Sequence, residues 1–151
     1  MVKAILLDTT YLLPIFGVRI GLPRFEECFP KLLTKHTVLY NPLSIVEAKW
    51  IALRLAKRMG RIVLDRFRLG LKALQNDDRL RPTEVTSYEI EEIADSLIPY
   101  LSDYFDRIIL STAYVHGYAL LTEDEEIVNV VRKGIVSLEL LKWSDILNTT
   151  C

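Results

Sequence analysis

The chain has 151 residues, half of them hydrophobic and 26% charged, enough for one domain with a sizeable core and unlike a disordered or fibrous protein. No apolar run reaches the roughly 18 residues that a bilayer-crossing helix needs, and Met1 to Asp8 lacks the cleavage site of a secretory leader. The net charge of −1 conceals a split: Lys49 to Arg81 carries ten bases and three acids, while Pro82 to Glu126 carries eleven acids and one base, Arg107.

Either the two halves neutralise each other within the fold, or they form two surfaces, one suited to a polyanion and one to a cation. Cys28 and Cys151 show neither metal-ligand spacing nor a disulfide framework. Reduced thiols and a cytoplasmic location are therefore expected.

Val2 to Leu7 is an apolar run of strand formers that delivers Asp8 to its carboxyl end. Thr9 or Thr10 then caps a short helix, Tyr11 to Phe16, interrupted by Pro14. Gly17, Gly21 and Pro23 form a turn, Arg24 to Lys35 has helical spacing, and Thr37 to Tyr40 is a second strand. Asn41-Pro42 opens a long helix with Ile45, Ala48, Ala52, Leu55 and Met59 on one stripe. Val46, Trp50 and Leu53 form a second stripe, which predicts burial on two sides. Gly60 breaks this helix and Arg61 to Gln75 follows as another, giving a basic helical hairpin over about 42–76.

Glu84-Val85-Thr86 reads as a third strand and Tyr88 to about Leu101 as an acidic helix. A helix from about Arg107 to His116 ends at Gly117, and Tyr118 to Thr122 is a strand. Glu123 to Arg132 is a helix with acids in its first turn and bases in its last. Ser137 to Leu141 reads as an edge strand and Ser144 to Leu147 as a last helical turn. Alternating strands and helices predict an α/β fold with a mostly parallel sheet of four to five strands flanked by helices.

Four acids fall at the ends of these elements: Asp8 after the first strand, Glu47 early in the long helix, Asp106 before Arg107, and Asp124 just past Leu121. Each alone reads more readily as a cap, a first-turn acid or a solvated residue than as a ligand. Together they are more specific, because right-handed crossovers bring the carboxyl ends of parallel strands to one edge, where ligands bind. Carboxylates gathered there repel one another unless a divalent cation neutralises them, and an all-oxygen ligand set suits Mg²⁺ or Mn²⁺.

The segments Leu6-Leu7-Asp8-Thr9-Thr10-Tyr11-Leu12-Leu13, Leu43-Ser44-Ile45-Val46-Glu47, Asp106 to Ala113 and Leu120-Leu121-Thr122-Glu123-Asp124 resemble, in order and spacing, the PIN-domain ribonucleases. Within that family they are most similar to the VapC-type toxins of toxin–antitoxin modules. The resemblance extends to about Val131 and implies a single PIN-like domain over 1–151, three-layered, with the helical hairpin as an insertion. It implies that Asp8, Glu47, Asp106 and Asp124 are the catalytic set, with Asp8, Asp106 and Asp124 on Mg²⁺ or Mn²⁺. It assigns Thr10 to support of the first acid and Thr122 to orientation of the last. A homodimer and an antitoxin partner that plugs the site are implied as well. Asp103 is an alternative ligand to Asp106, and the family pattern continued by Arg107-Ile108-Ile109-Leu110 favours Asp106.

The expected activity is metal-dependent hydrolysis of RNA phosphodiesters, with no membrane involved. Arg54, Arg58 and Arg61 are the candidates for RNA phosphate contacts, with Lys57, Arg68 and Lys72 nearby. Tyr40, Trp50, Tyr88 and Tyr104 are candidates for stacking on bases, core or dimer interface, with Trp50 on the interface side. His36 and His116 lie outside the motifs. A phosphatase with Asp8 as nucleophile lacks a second Asp two residues on, where Thr10 stands. A non-catalytic RNA- or protein-binding module is the remaining alternative, and four crowded carboxylates argue against it.

Overall fold

The uninterrupted apolar run near the amino terminus becomes the central strand of a sheet, β1 (Ala4–Leu7). The computed structural model describes residues 1–151. After β1 come a 3₁₀ turn (Thr9–Leu12), α1 (Phe25–Lys35), β2 (Thr37–Tyr40), α2 (Leu43–Met59), α3 (Ile62–Gln75) and β3 (Leu80–Pro82). Then follow α4 (Tyr88–Ser96), α5 (Tyr104–His116), β4 (Ala119–Leu121), α6 (Glu125–Arg132), β5 (Leu140–Leu141) and α7 (Trp143–Thr149). The five strands run in the order β3-β2-β1-β4-β5, and every pairing is parallel.

Successive residues of β1 face opposite sides of the sheet and so feed two cores. Ile5 and Leu7 pack with Tyr11, Leu12, Phe16, Phe25, Leu32, Phe67, Leu74 and Trp143. Leu6 packs on the other side with Leu97, Leu101, Ile109, Leu110, Leu120 and Ile127. Two helical layers therefore enclose the sheet. Leu7 is level with Tyr40 of β2 and Leu121 of β4, so three carboxyl ends share one height. The chain winds outward from β1 to β3 and then resumes on the far side of β1 at β4, which makes the β1/β4 boundary a topological switch point.

Several elements differ from the sequence reading. The third strand is Leu80–Pro82 rather than Glu84–Thr86; it pairs only with β2, and a proline is tolerated on such an edge. The predicted Tyr11–Phe16 helix is replaced by the 3₁₀ turn, and its cap is Asp8 rather than a threonine. The acidic helix ends at Ser96, with Leu97 to Tyr100 in turns. The second apolar stripe of α2 is not buried: Val46, Trp50 and Leu53 are exposed.

Cys28 and Cys151 are joined in a disulfide across 123 residues, with Cα atoms 5.4 Å apart, which overturns the expectation of free thiols. Pairing depends on where the fold carries residue 151, and no local spacing signals that. The bond ties the carboxyl terminus behind α7 to α1, where Trp143 packs against Phe25 with ring centroids 5.0 Å apart.

The hairpin docks through a glycine. At Gly70 of α3, an added Cβ would come within 2.2 Å of the Ile15 carbonyl oxygen, so the backbone turn after the 3₁₀ segment rests directly on the helix. Phe67, one turn before, stacks on Phe16 with centroids 4.5 Å apart.

Candidate active site

At the switch point, the carboxyl end of β1 turns sharply into the 3₁₀ segment, so Asp8 ends its strand and caps the turn together. Asp8 Oδ1 accepts a hydrogen bond from the Thr9 backbone N–H at 2.8 Å. Its Oδ2 accepts from the Thr122 hydroxyl at 2.6 Å. Thr122 follows β4, and its Oγ1 also accepts from the Asp124 backbone N–H at 3.0 Å. Both hydrogen-bonding capacities of that hydroxyl thus link two acids.

Asp124 caps α6, with Oδ1 accepting from the backbone N–H of Glu126 at 2.8 Å and of Ile127 at 3.3 Å. Glu47 lies in the second turn of α2 and accepts a hydrogen bond from the Thr9 hydroxyl, which is also bonded to Ser44 Oγ at 2.9 Å. Asp106 occupies the first turn of α5, capped by Asp103, whose Oδ1 accepts from the Asp106 backbone N–H at 3.3 Å. No protein group donates a hydrogen bond to the Asp106 carboxylate.

One pocket of about 250 Å³ is lined by Asp8, Thr9, Thr10, Leu13, Glu47, Ile51, Asp106, Glu123 and Asp124. The four acids named from the sequence are brought together there, from four separate segments. Carboxylate oxygens of Glu47, Asp103 and Asp106 lie within 4.8 Å of one another, as do those of Asp106, Asp124 and Glu126. Asp106 is common to both groups. Asp8 belongs to neither group although it lines the pocket, whereas Asp103 caps α5, is exposed and lies outside the pocket lining.

The electrostatics follow from burial and like charge. Asp8 is 6% and Asp106 9% exposed. Desolvation raises the Asp8 pKa, the hydrogen bonds from Thr122 and Thr9 pull it down, and Asp124 and Asp103 push it up again. Asp106, lacking such donors, is pushed up to about 8 by burial and then by Asp8, Asp124, Asp103 and Glu47. Glu47 is also raised, first by burial, against the hydrogen bond from Thr9. Carboxyl groups held this way take up either protons or a cation. The donor set is all oxygen, which fits a hard divalent ion.

Thr10 lines the pocket but makes no hydrogen bond to Asp8; the Thr9 backbone and the Thr122 hydroxyl fill that role. Sequence reasoning missed Thr9, Glu123 and Glu126. Glu123 accepts hydrogen bonds from the Tyr11 hydroxyl at 2.9 Å and the Trp143 backbone N–H at 3.1 Å, tying the pocket wall to α7. Thr9 and Glu123 sit beside motif acids, and that adjacency was the available signal. His36 accepts from the Lys3 backbone N–H at 2.9 Å and His116 pairs with Glu84. Neither lines the pocket.

Arg54, Arg58 and Arg61 are exposed on or just after α2, outside the pocket lining. Of the aromatic candidates, Tyr40 is 3% exposed and belongs to the core, and the Tyr104 hydroxyl donates to Glu91. Trp50 and Tyr88 are open to solvent.

A parallel α/β sheet with carboxylates gathered at its switch point defines an acidic-site α/β domain. The PIN domain family model matches residues 5–133, and the chain belongs to that family. Among solved structures, a chain of VapBC2 from Rickettsia felis, bound to a DNA fragment from its promoter, superposes with a TM-score of 0.64 at 14% identity. The match covers 93% of this chain and 98% of that one. A chain of FitAcB from Neisseria gonorrhoeae gives 0.64 at 18% identity, with the same coverage. A chain of FitAB bound to an IR36 DNA fragment gives 0.54 at 17% identity, covering 92% and 94%. These likenesses show a shared fold. No curated protein matches the sequence. No helix is long and apolar enough to cross a membrane.

Proposed function

We propose that the protein is a metal-dependent endoribonuclease, the VapC-type toxin of a toxin–antitoxin pair. The observation that carries this reading is the convergence of Asp8, Glu47, Asp106 and Asp124 on one pocket at the switch point, with no base among its lining residues. A site that only bound RNA would gain nothing from carboxylates facing a phosphate.

In this reading Asp8, Asp106 and Asp124 hold Mg²⁺ or Mn²⁺, with Glu126 in reach of the last two. Bound there, the ion supplies positive charge for the phosphate oxygens and acidifies a water. The chain's own residues supply the rest. Thr122 and the Thr9 N–H fix both Asp8 oxygens, so the ligand is oriented before substrate arrives. Glu47, raised by burial and anchored by Thr9, is suited to take a proton from the attacking water. Asp124 is held by α6 through its cap bonds.

A homodimer and an antitoxin that covers the pocket belong to the same reading, as does a cytoplasmic location, which the Cys28–Cys151 bond deprives of its support from reduced thiols. The VapBC2 and FitAB assemblies that share the fold support a partner protein of that kind. The test is cleavage of an end-labelled RNA by the wild-type chain and by Asp8→Asn, with Mg²⁺, with Mn²⁺ and with chelator. Cleavage by the wild type with metal alone is expected. Equal cleavage by both proteins, or cleavage in chelator, removes the proposal.

A further inference from the structure

Ten bases make up the block from Lys49 to Arg81, and the fold accounts for several of them. Lys49 Nζ lies 4.9 Å from the centroid of the Phe67 ring. Arg68 pairs with Asp65, and Arg79 with Asp77. Arg54, Lys57 and Arg58 of α2 and Arg61 just after it are exposed and make no ion pair. No acid lies among them, and like charges three or four residues apart on a helix repel. The isolated chain bears that repulsion, which a polyanion bound there would relieve.

Helical spacing sets the direction of this charge. Counting from Glu47, the residues Ile51, Arg54 and Arg58 follow at steps of four, three and four, which is one face of the helix; Arg61 lies past the break at Gly60, at the start of α3. Glu47 and Ile51 line the acidic pocket. The face therefore leaves the pocket and turns cationic within two turns, reaching Arg58 about 16 Å from Glu47 at the usual helical rise. Trp50 stands beside it, three residues after Glu47 and four before Arg54, and is 58% exposed.

We propose that this face of α2 is a track for an unpaired nucleic-acid strand. Trp50 stacks a base next to the phosphate held in the pocket, and Arg54, Lys57, Arg58 and Arg61 neutralise the phosphates that follow. The inference rests on the nuclease reading and narrows its substrate to single-stranded RNA, because only an unpaired base offers its ring face. A protein helix seated on Val46, Trp50 and Leu53 would cover the apolar flank of α2 beside that face. Arg54 and Arg58 would then stay uncompensated, so the charge favours nucleic acid.

The test measures binding of an unpaired 12-nucleotide RNA, and of the same sequence in duplex, to full-length Asp8→Asn protein and to the same chain carrying Trp50→Ala or Trp50→Phe. Melting curves establish that each variant is folded. Trp143, the only other tryptophan, is 1% exposed, so fluorescence quenching by RNA reports Trp50. We expect quenching by the single strand and not by the duplex. We also expect roughly 5- to 100-fold weaker binding for Trp50→Ala and substantial recovery with Trp50→Phe. The double substitution Arg54→Ala/Arg58→Ala should reduce the slope of log affinity against log salt by about 1.4, at roughly 0.7 per phosphate contact.

Unchanged affinity in Trp50→Ala, or equal binding of single strand and duplex, overturns the track. So does a Trp50→Ala protein that sediments at half the wild-type mass with RNA affinity intact, since the surface is then an interface between copies. Cleavage by the wild-type chain is followed in parallel. Trp50-dependent binding without cleavage supports the track and overturns the nuclease reading alone. Cleavage indifferent to Trp50 overturns the track alone.

Discussion

The Thr122 hydroxyl donates to Asp8 Oδ2 at 2.6 Å, joining residues 114 positions apart across the β1/β4 boundary. Thr122→Val keeps the shape and removes the donor, leaving a buried carboxylate short of one bond. Such losses cost about 1–3 kcal/mol. The loss should appear as a lowered denaturant midpoint, together with an Asp8 pKa raised further and weaker metal binding. An unchanged midpoint would show that water replaces the hydroxyl.

The crowded acids make stability depend on pH. Asp106 has a folded-state pKa of about 8 against an ordinary value of 3.8. Between those values the folded state holds a proton that the unfolded state has lost. Its contribution to stability is thus complete below about pH 4 and is lost as pH rises through 8. Asp8 and Glu47, also raised, act in the same direction. In chelator, melting temperature should fall from pH 6 to pH 9. Added Mn²⁺ should recover it at the alkaline end, where the cation takes the place of the protons.

Asp103 and Asp106 are distinguished by one pair of substitutions. Asp106→Asn removes the charge at the centre of both acidic groups. It should stabilise the chain in chelator above neutral pH while abolishing the Mn²⁺-induced rise in melting temperature and cleavage. Asp103→Asn keeps a good capping residue at the start of α5, so its stability should change by less than about 0.5 kcal/mol. It should retain most of the metal response. Reversed outcomes would make Asp103 the ligand.

Much of this arrangement is legible in the sequence, for physical reasons. β1, β2 and β4 are continuous apolar runs because both faces of a parallel sheet are covered, and such runs end abruptly where the sheet ends. Asp8 and the Thr122–Asp124 segment stand out for that reason. β3 was displaced because its inward signal is one residue, Leu80, beside Arg81 and Pro82, while Val85 and Thr86 carry the stronger strand propensity. The support assigned to Thr10 comes instead from the Thr9 backbone N–H and the Thr122 hydroxyl, a backbone donor and a residue 114 positions away that no local pattern displays. Glu126 was hidden because an acid in a helix's first turn already has a reason to be there.

Gly70 offers a test of the hairpin's docking. Gly70→Ala places a methyl group 2.2 Å from the Ile15 carbonyl oxygen, so α3 must lift or the turn must shift. Overpacking of this kind costs about 1–3 kcal/mol, despite the better helix propensity of alanine. A stabilised variant would show that the turn yields freely.

The Cys28–Cys151 bond should contribute through the unfolded chain. Closing a loop of this length is worth up to roughly 4–5 kcal/mol in the chain-entropy treatment. Cys28→Ser, or a dithiol reductant, should lower the denaturant midpoint accordingly. Identical midpoints in oxidised and reduced protein would leave the bond without an energetic role.

That bond also changes what a protease can accomplish. Gly60, the joint between α2 and α3, lies inside the covalent ring, so a single cut there opens the backbone without releasing either piece. A nicked molecule would migrate as two fragments only after reduction. It would keep Asp8 and Glu47 on one fragment and Asp106 and Asp124 on the other, fastened through α1.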